Sequence, residues 1–266
     1  MCLFVDILGR KIPTYGLLIA AGVILANLIA LYFIKKNQHD VWDFFTIEAY
    51  VLLGAFVGAK LLYLLVSWQT IDWTRILELE YFNQIMQGGF VFYGGLIGGL
   101  LMALGAGRWH RIDAVMYIRH YIFLIPFIHG FGRIGCFLAG CCYGRPYEGV
   151  GSVVFPEGSL APSGVPLFPV QLLEAVILLG ISILLLWVRG KRDALYTVEV
   201  YLGLYGVARF GLEYLRYDEA RGHLGGLSTS QWISVGIVLV ALFLGVYHCK
   251  GCAAWNARND KYKTGG

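Results

Sequence analysis

Apolar runs closed by basic residues dominate the chain, and their lengths predict helices that cross a membrane. Residues 12–34 form a 23-residue stretch without a charge, closed by Lys35 and Lys36, and a span needs about 20 apolar residues. Residues 44–68 predict a second span, interrupted by Glu48 and Lys60. A third covers 88–107 and closes on Arg108 and Arg111; a fourth covers 114–131, with Arg119 and His120 near its start and Pro126 as the expected kink. Residues 170–188, followed by Arg189, Lys191 and Arg192, make the fifth; 197–215 and 231–247 make the sixth and seventh. Between spans two and three, residues 69–83 carry Asp72, Arg75, Glu78 and Glu80 and read as an amphipathic connection. Residues 146–168 are rich in Gly, Pro and Ser and predict a long loop.

This pattern defines an all-α, polytopic membrane protein with about seven spans in a single domain over 1–266. Basic residues set the expected orientation. The side holding the first, third and fifth loops and the C-terminus carries eleven. The opposite side carries seven: Arg10, Lys11, Arg75, Arg133, Arg145, Arg216 and Arg221. Positive loops stay in the cytoplasm, so the N-terminus and the 146–168 loop face outward and the C-terminus faces inward.

Composition agrees. The chain is 58% hydrophobic and 14% charged, against about 45–50% and about 25% in soluble domains. A net charge of +4 is read as topological, because no basic run with interleaved aromatics marks a nucleic-acid surface. The first ten residues have too few apolar positions for a signal peptide.

Against this background, residues 129–146 stand out: five glycines, three cysteines, two arginines and one histidine in eighteen positions. Glycines permit close helix contacts in membranes, which accounts for them but not for Arg133. A cation at membrane depth is costly and marks a candidate site, and a guanidinium fork suits a phosphate. Arg209 and Glu213 share a helix face at i and i+4, either as a self-satisfied ion pair or as part of a site; Gln171 and Glu174 sit at i and i+3. All five fall near the outer ends of spans, and together they suggest a pocket for an anionic headgroup. Lys60 is expected to snorkel to an interface. A second glycine-rich stretch, 88–99, holds Tyr93, which belongs either to an aromatic belt or to the site.

Six cysteines stand at 2, 136, 141, 142, 249 and 252. The spacing of Cys136, Cys141 and Cys142 matches no zinc pattern, and Cys249-x-x-Cys252 has the spacing of half a metal or redox site but no second half in the chain to complete it. No metal and no cofactor is expected. Three readings of the motif cysteines stay open: small apolar packing residues, a disulfide on an oxidising side, or a nucleophile with its pKa lowered by Arg133. A thioether would make the last a dead end.

The motif Gly132-Arg-Ile-Gly-Cys-Phe-Leu-Ala-Gly-Cys-Cys-Tyr-Gly144 resembles the signature of the bacterial prolipoprotein diacylglyceryl transferases, Gly-Arg-Ile/Leu-Gly-Asn-Phe-Ile-Asn-Gly-Glu-x-x-Gly. Further matches follow in order. Tyr15-Gly16 resembles the Tyr-Gly opening the first span, and 88–98 resembles Gly-Gly-x-x-Phe-His-Gly-Gly-Leu-Ile-Gly. Pro169-Val-Gln-Leu-Leu-Glu174 resembles Pro-Ser-Gln-Leu-Tyr-Glu, Arg209–Arg216 resembles Arg-x-x-x-Glu-Phe-x-Arg, and 227–234 resembles the start of the last span. The chain departs from the family at Tyr93 for His, Cys136 for Asn, Cys141 for Glu and Val170 for Ser.

The resemblance implies a transferase of the bacterial cytoplasmic membrane that needs no cofactor. It moves diacylglyceryl from phosphatidylglycerol to the thiol of a prolipoprotein signal peptide. Arg133, Arg209, Glu213 and Tyr93 stand at catalytic positions; Tyr15, Cys136, Cys141, Gly144, Gln171 and Glu174 stand at substrate-binding ones. Two rival expectations are a paralogue with another acceptor and a transporter, although paired broken helices in repeated halves, the mark of a transporter, are not found.

Overall fold

The computed structural model describes residues 4–7, 10–89, 91–191, 194, 196–217 and 223–264. Cys2, and Arg192 and Arg221 of the charge count, lie outside the described residues, as does the side chain of Cys252. The chain is mostly helical and divides into two compact units, residues 31–118 and residues 1–30 with 119–266.

In the 31–118 unit, α1 (Thr14–Asn37) ends on Lys35 and Lys36, cations placed where the helix dipole is negative. Asp40 then caps α2 (Val41–Val66), accepting from the Trp42 N–H at 2.7 Å and the Asp43 N–H at 3.1 Å and so satisfying donors that a helix start leaves unpaired. The 69–83 connection is a 3-10 turn at Trp73–Arg75, followed by α3 (Leu79–Gln87).

Gly54 and Gly58 of α2 face Gly94 and Gly98 of α4 (Phe92–His110). A Cβ on Gly58 would fall on the Gly94 carbonyl oxygen and within 3.0 Å of the Gly98 Cα. The spacing is Gly-x-x-x-Gly on both helices, which lets backbones touch where lipid supplies no hydrophobic drive. Gly58→Leu should therefore force α2 and α4 apart and lower the detergent-solubilised Tm. Gly180→Ala, where no side chain and no other element lies within 4 Å of an added Cβ, should not lower it; equal Tm values for the two variants would contradict the packing.

Lys60 does not snorkel. Its side chain is buried, and Nζ donates to the Ile85 and Gly88 carbonyls, both at 2.6 Å. Those acceptors belong to the C-terminal end of α3, which has unpaired carbonyls and the negative end of the dipole. A nearby helix end thus satisfies the ammonium better than a long reach to water would.

In the other unit, β1 (Phe4–Ile7) and β2 (Arg10–Pro13) pair antiparallel ahead of α1. The fourth expected span is two helices, α5 (Ala114–Tyr121), within which the 31–118 unit ends, and α6 (Leu124–Ala139), bent by 51°. Pro126 lies in the first turn of α6, where its missing N–H costs nothing, and its ring excludes the carbonyl four residues back. Side chains take up carbonyls around the break. Thr197 Oγ1 donates to Arg119 O at 2.6 Å, Arg189 Nη1 to His120 O at 2.9 Å, and Ser182 Oγ to Phe123 O at 2.9 Å.

The rest of this unit is α7 (Val170–Lys191), α8 (Thr197–Glu213) and α9 (Thr229–Thr264). Among the described residues, four helices, α1, α2, α7 and the first 21 residues of α9, are long and apolar enough to cross a membrane, or five if the bent pair is one span. Ile24, Val176, Ile183 and Phe243 are more than 60% exposed, and apolar surface on that scale fits lipid rather than water. The 146–168 loop has its own small core. Strands β3 (Val153–Val154) and β4 (Pro166–Leu167) pair antiparallel, and Phe155, Ala161 and Leu167 are buried against Phe137 and Tyr143.

Candidate active site

The glycine-rich motif begins as helix. Arg133 and Cys136 lie in the C-terminal half of α6, which stops at Gly140 in the left-handed region, with φ +67°. The chain then passes through a backbone crossing at Gly144. Arg145 N–H donates to Leu215 O at 3.0 Å, Phe168 N–H donates to Arg145 O at 3.0 Å, and Gly144 bridges Arg216. A Cβ on Gly144 would strike the Phe168 carbonyl and come within 2.9 Å of the Leu215 carbonyl. Gly144 is required by that close approach, and the crossing draws the end of α8 towards α6 and the start of α7.

Its result is a buried charge cluster. Arg133 Nη2 lies 3.1 Å from Glu174 Oε1, and Arg216 Nη1 lies 3.8 Å from Glu174 Oε2. Arg209 Nη2 lies 2.7 Å from Glu213 Oε2 and donates to Ser230 Oγ at 3.3 Å. Ser228 Oγ donates to Glu213 Oε1 at 2.9 Å. This serine also caps α9: Gln231 N–H donates to Ser228 Oγ at 3.2 Å, while Ser228 N–H donates to Gln231 Oε1 at 2.9 Å. That reciprocal pair is a capping box, and it fixes the hydroxyls that hold the Arg209–Glu213 pair.

Two donors in the cluster are left over. Among the described residues, Arg133 Nε and Arg209 Nη1 are buried and have no hydrogen-bond acceptor. The Arg133–Glu174 contact is an ion pair without an aligned hydrogen bond, since both Glu174 oxygens are also without a hydrogen-bond donor among these residues. Buried polar groups normally find partners. Buried N–H groups on cations point to an anion as what completes them.

Gln171 Nε2 donates to the Cys141 carbonyl at 2.8 Å, so it holds the turn after α6. Tyr15, at the start of α1, packs over Gly135, whose added Cβ would lie 3.0 Å from the tyrosine ring. His129, one turn before Arg133, is within electrostatic reach of both Arg133 and Arg209 and stacks edge-on to Tyr205 at 5.7 Å. The sequence alone points to no role for His129, Arg216 or Ser230. The signal available for the serines is the Ser228-Thr-Ser-Gln231 capping pattern. For Arg216 the signal is its place as the last residue of the Arg209–Arg216 match; its approach to Glu174 depends on the Gly144 crossing.

The three motif cysteines converge as well. Gly140 and then Cys142, at φ +55°, both take the left-handed region, so the chain folds back on the end of α6. The Sγ atoms of Cys136, Cys141 and Cys142 all lie within 4.8 Å of one another, and none is in a disulfide. The Cys141 thiol donates to the Cys136 carbonyl at 3.7 Å. Of the remaining expected site residues, Tyr93 belongs to the 31–118 unit, half-buried in the first turn of α4.

Fold and site together define a helical membrane protein with paired arginines and carboxylates buried at helix ends. The chain belongs to the prolipoprotein diacylglyceryl transferase family, whose family model matches residues 3–247. It is 35% identical over 243 residues to phosphatidylglycerol–prolipoprotein diacylglyceryl transferase 2 of Clostridium perfringens, covering 90% of this chain and 92% of that one. It is 32% identical over 240 residues to the corresponding transferase of Clostridium tetani, covering 90% and 94%.

Proposed function

We propose that the protein transfers a diacylglyceryl group from phosphatidylglycerol to the lipobox cysteine of prolipoproteins. The thiol sulfur attacks the glycerol carbon, the carbon–oxygen bond to phosphate breaks, and glycerol phosphate leaves as a thioether forms. The observation that carries this reading is the pair of buried, acceptor-less N–H groups on Arg133 and Arg209 in a chain of this family. They bind the phosphate and offset the charge that grows on the departing group. Glu213 orients Arg209, Glu174 orients Arg133, and Gln171 steadies the turn that follows α6. Tyr15 lies over the motif as a lipid contact, beside Cys136, Cys141 and Gly144.

A base takes the thiol proton, and Tyr93 is assigned that role from its family position. An apolar groove of about 830 Å³, lined by Ile177, Ile181, Val207, Ala241 and Leu242, suits acyl chains, and Ala208 in its wall adjoins Arg209.

The enzyme is a single domain of the bacterial cytoplasmic membrane, with seven spans, the N-terminus outside and the C-terminus inside. The excess of basic residues on one side supports that orientation. In intact cells, Ser163→Cys should react with a membrane-impermeant maleimide, read by mass on its own peptide; labelling only after permeabilisation contradicts it. The activity is tested by expression in cells depleted of their own transferase. Growth and lipoprotein lipidation should return with the wild-type chain and not with Arg209→Ala. A wild-type chain that reaches the membrane and restores neither would sink the reading.

A further inference from the structure

We propose that Cys136, Cys141 and Cys142 form a three-thiolate site for a soft d10 cation, Cu(I) or Zn(II). Three sulfurs within 4.8 Å of one another nearly match what such an ion requires. Thiolates at about 2.3 Å from a metal sit roughly 4 Å apart, so small side-chain rotations close the site. Among the described residues the group contains no carboxylate or imidazole. An all-sulfur set selects Cu(I) or Zn(II) and rejects Mg(II) and Ca(II).

The backbone supports the same conclusion. Cys142 holds φ +55°, a conformation costing a non-glycine residue about 1–2 kcal/mol. Strain kept at a side chain that chemistry can use marks a functional position. A disulfide would use two of the three sulfurs, and Cys141 and Cys142 are adjacent, with Cα atoms about 3.8 Å apart, closer than disulfides ordinarily allow. Cys136 is buried while Cys141 and Cys142 are partly exposed, which leaves a way in for an ion. The turn is held from outside by the Gln171 bond to the Cys141 carbonyl. Arg216 stands close to Cys142 and Arg133 to Cys136, and these cations offset the net negative charge of three thiolates on one ion.

On binding, each ligating thiol gives its proton to solvent and no electron is transferred. Cu(I) is satisfied by three sulfurs; Zn(II) takes a water in its fourth position.

The test uses the full chain, purified reduced in detergent and loaded without oxygen with Cu(I) or with Zn(II). After desalting, metal content and alkylation of each cysteine are measured. The expected result is one ion per chain, with Cys136, Cys141 and Cys142 protected and Cys249 still reactive. Retention of Cu(I) alone marks a three-sulfur site, and retention of Zn(II) marks one completed by water. Cys142→Ser should weaken binding by more than the roughly ten- to hundredfold typical of losing a residue that only supports a ligand. Because that variant is open to misfolding, the wild-type protection map decides independently. No retained ion, protection confined to Cys249 and Cys252, or a disulfide among the three in protein isolated without reductant would each overturn the proposal.

Discussion

Arg133→Lys and Arg209→Lys should each lower transfer by about ten- to hundredfold while leaving the protein folded. The size follows from losing one charge-assisted hydrogen bond, worth about 1.5–3 kcal/mol. Charge is kept, so geometry alone is tested. Arg133 reaches Glu174 with Nη2 and has Nε to spare; Arg209 meets Glu213 and Ser230 through Nη2 and has Nη1 to spare. A lysine keeps the charge but loses the planar fork that meets the carboxylate with one nitrogen while turning another towards a phosphate. The measurement is the initial rate on phosphatidylglycerol vesicles with a lipobox peptide, beside a size-exclusion profile. Near-wild-type rates in both variants would rule out the phosphate clamp.

Glu174→Gln should have the largest effect on stability. Its carboxylate is 1% exposed and lies between Arg133 and Arg216. Neutralising it leaves two buried guanidiniums facing each other without a counter-charge, and breaking a buried pair in this way costs about 3–5 kcal/mol. The Tm should fall on the order of 10 °C. Phosphate lipid added to the variant should recover part of the loss, since an anion replaces the missing charge. A Tm within about 2 °C of wild type would show that Glu174 does not hold the cluster together.

The helices are legible wherever lipid dictates composition. Long apolar runs mark α1, α2, α7 and the first 21 residues of α9 to within a few residues, because a span cannot hide polar groups. Pro126 announces a bend, but the break falls before it, at residues 122–123, where side chains from α7 and α8 take up the carbonyls. Those partners are distant in sequence and leave no local mark. Lys60 defeats a local reading for the same reason: its acceptors, at Ile85 and Gly88, come from a helix that folds back on α2.

In the site, Arg133, Glu174, Arg209 and Glu213 are legible as charges that a membrane does not tolerate idly. The pairing of Arg216 with Glu174 is not, since that approach depends on the backbone crossing at Gly144. The thiol cluster is hidden too. Cysteine spacing assumes ordinary backbone, and the left-handed Cys142 brings together sulfurs that spacing keeps apart.

The most direct test of the central claim is the mass of a lipobox peptide incubated with the purified protein and phosphatidylglycerol. The peptide cysteine should gain one diacylglyceryl group as a thioether, with one glycerol phosphate released per peptide modified. A peptide of unchanged mass, or glycerol phosphate released equally without peptide, would contradict the account.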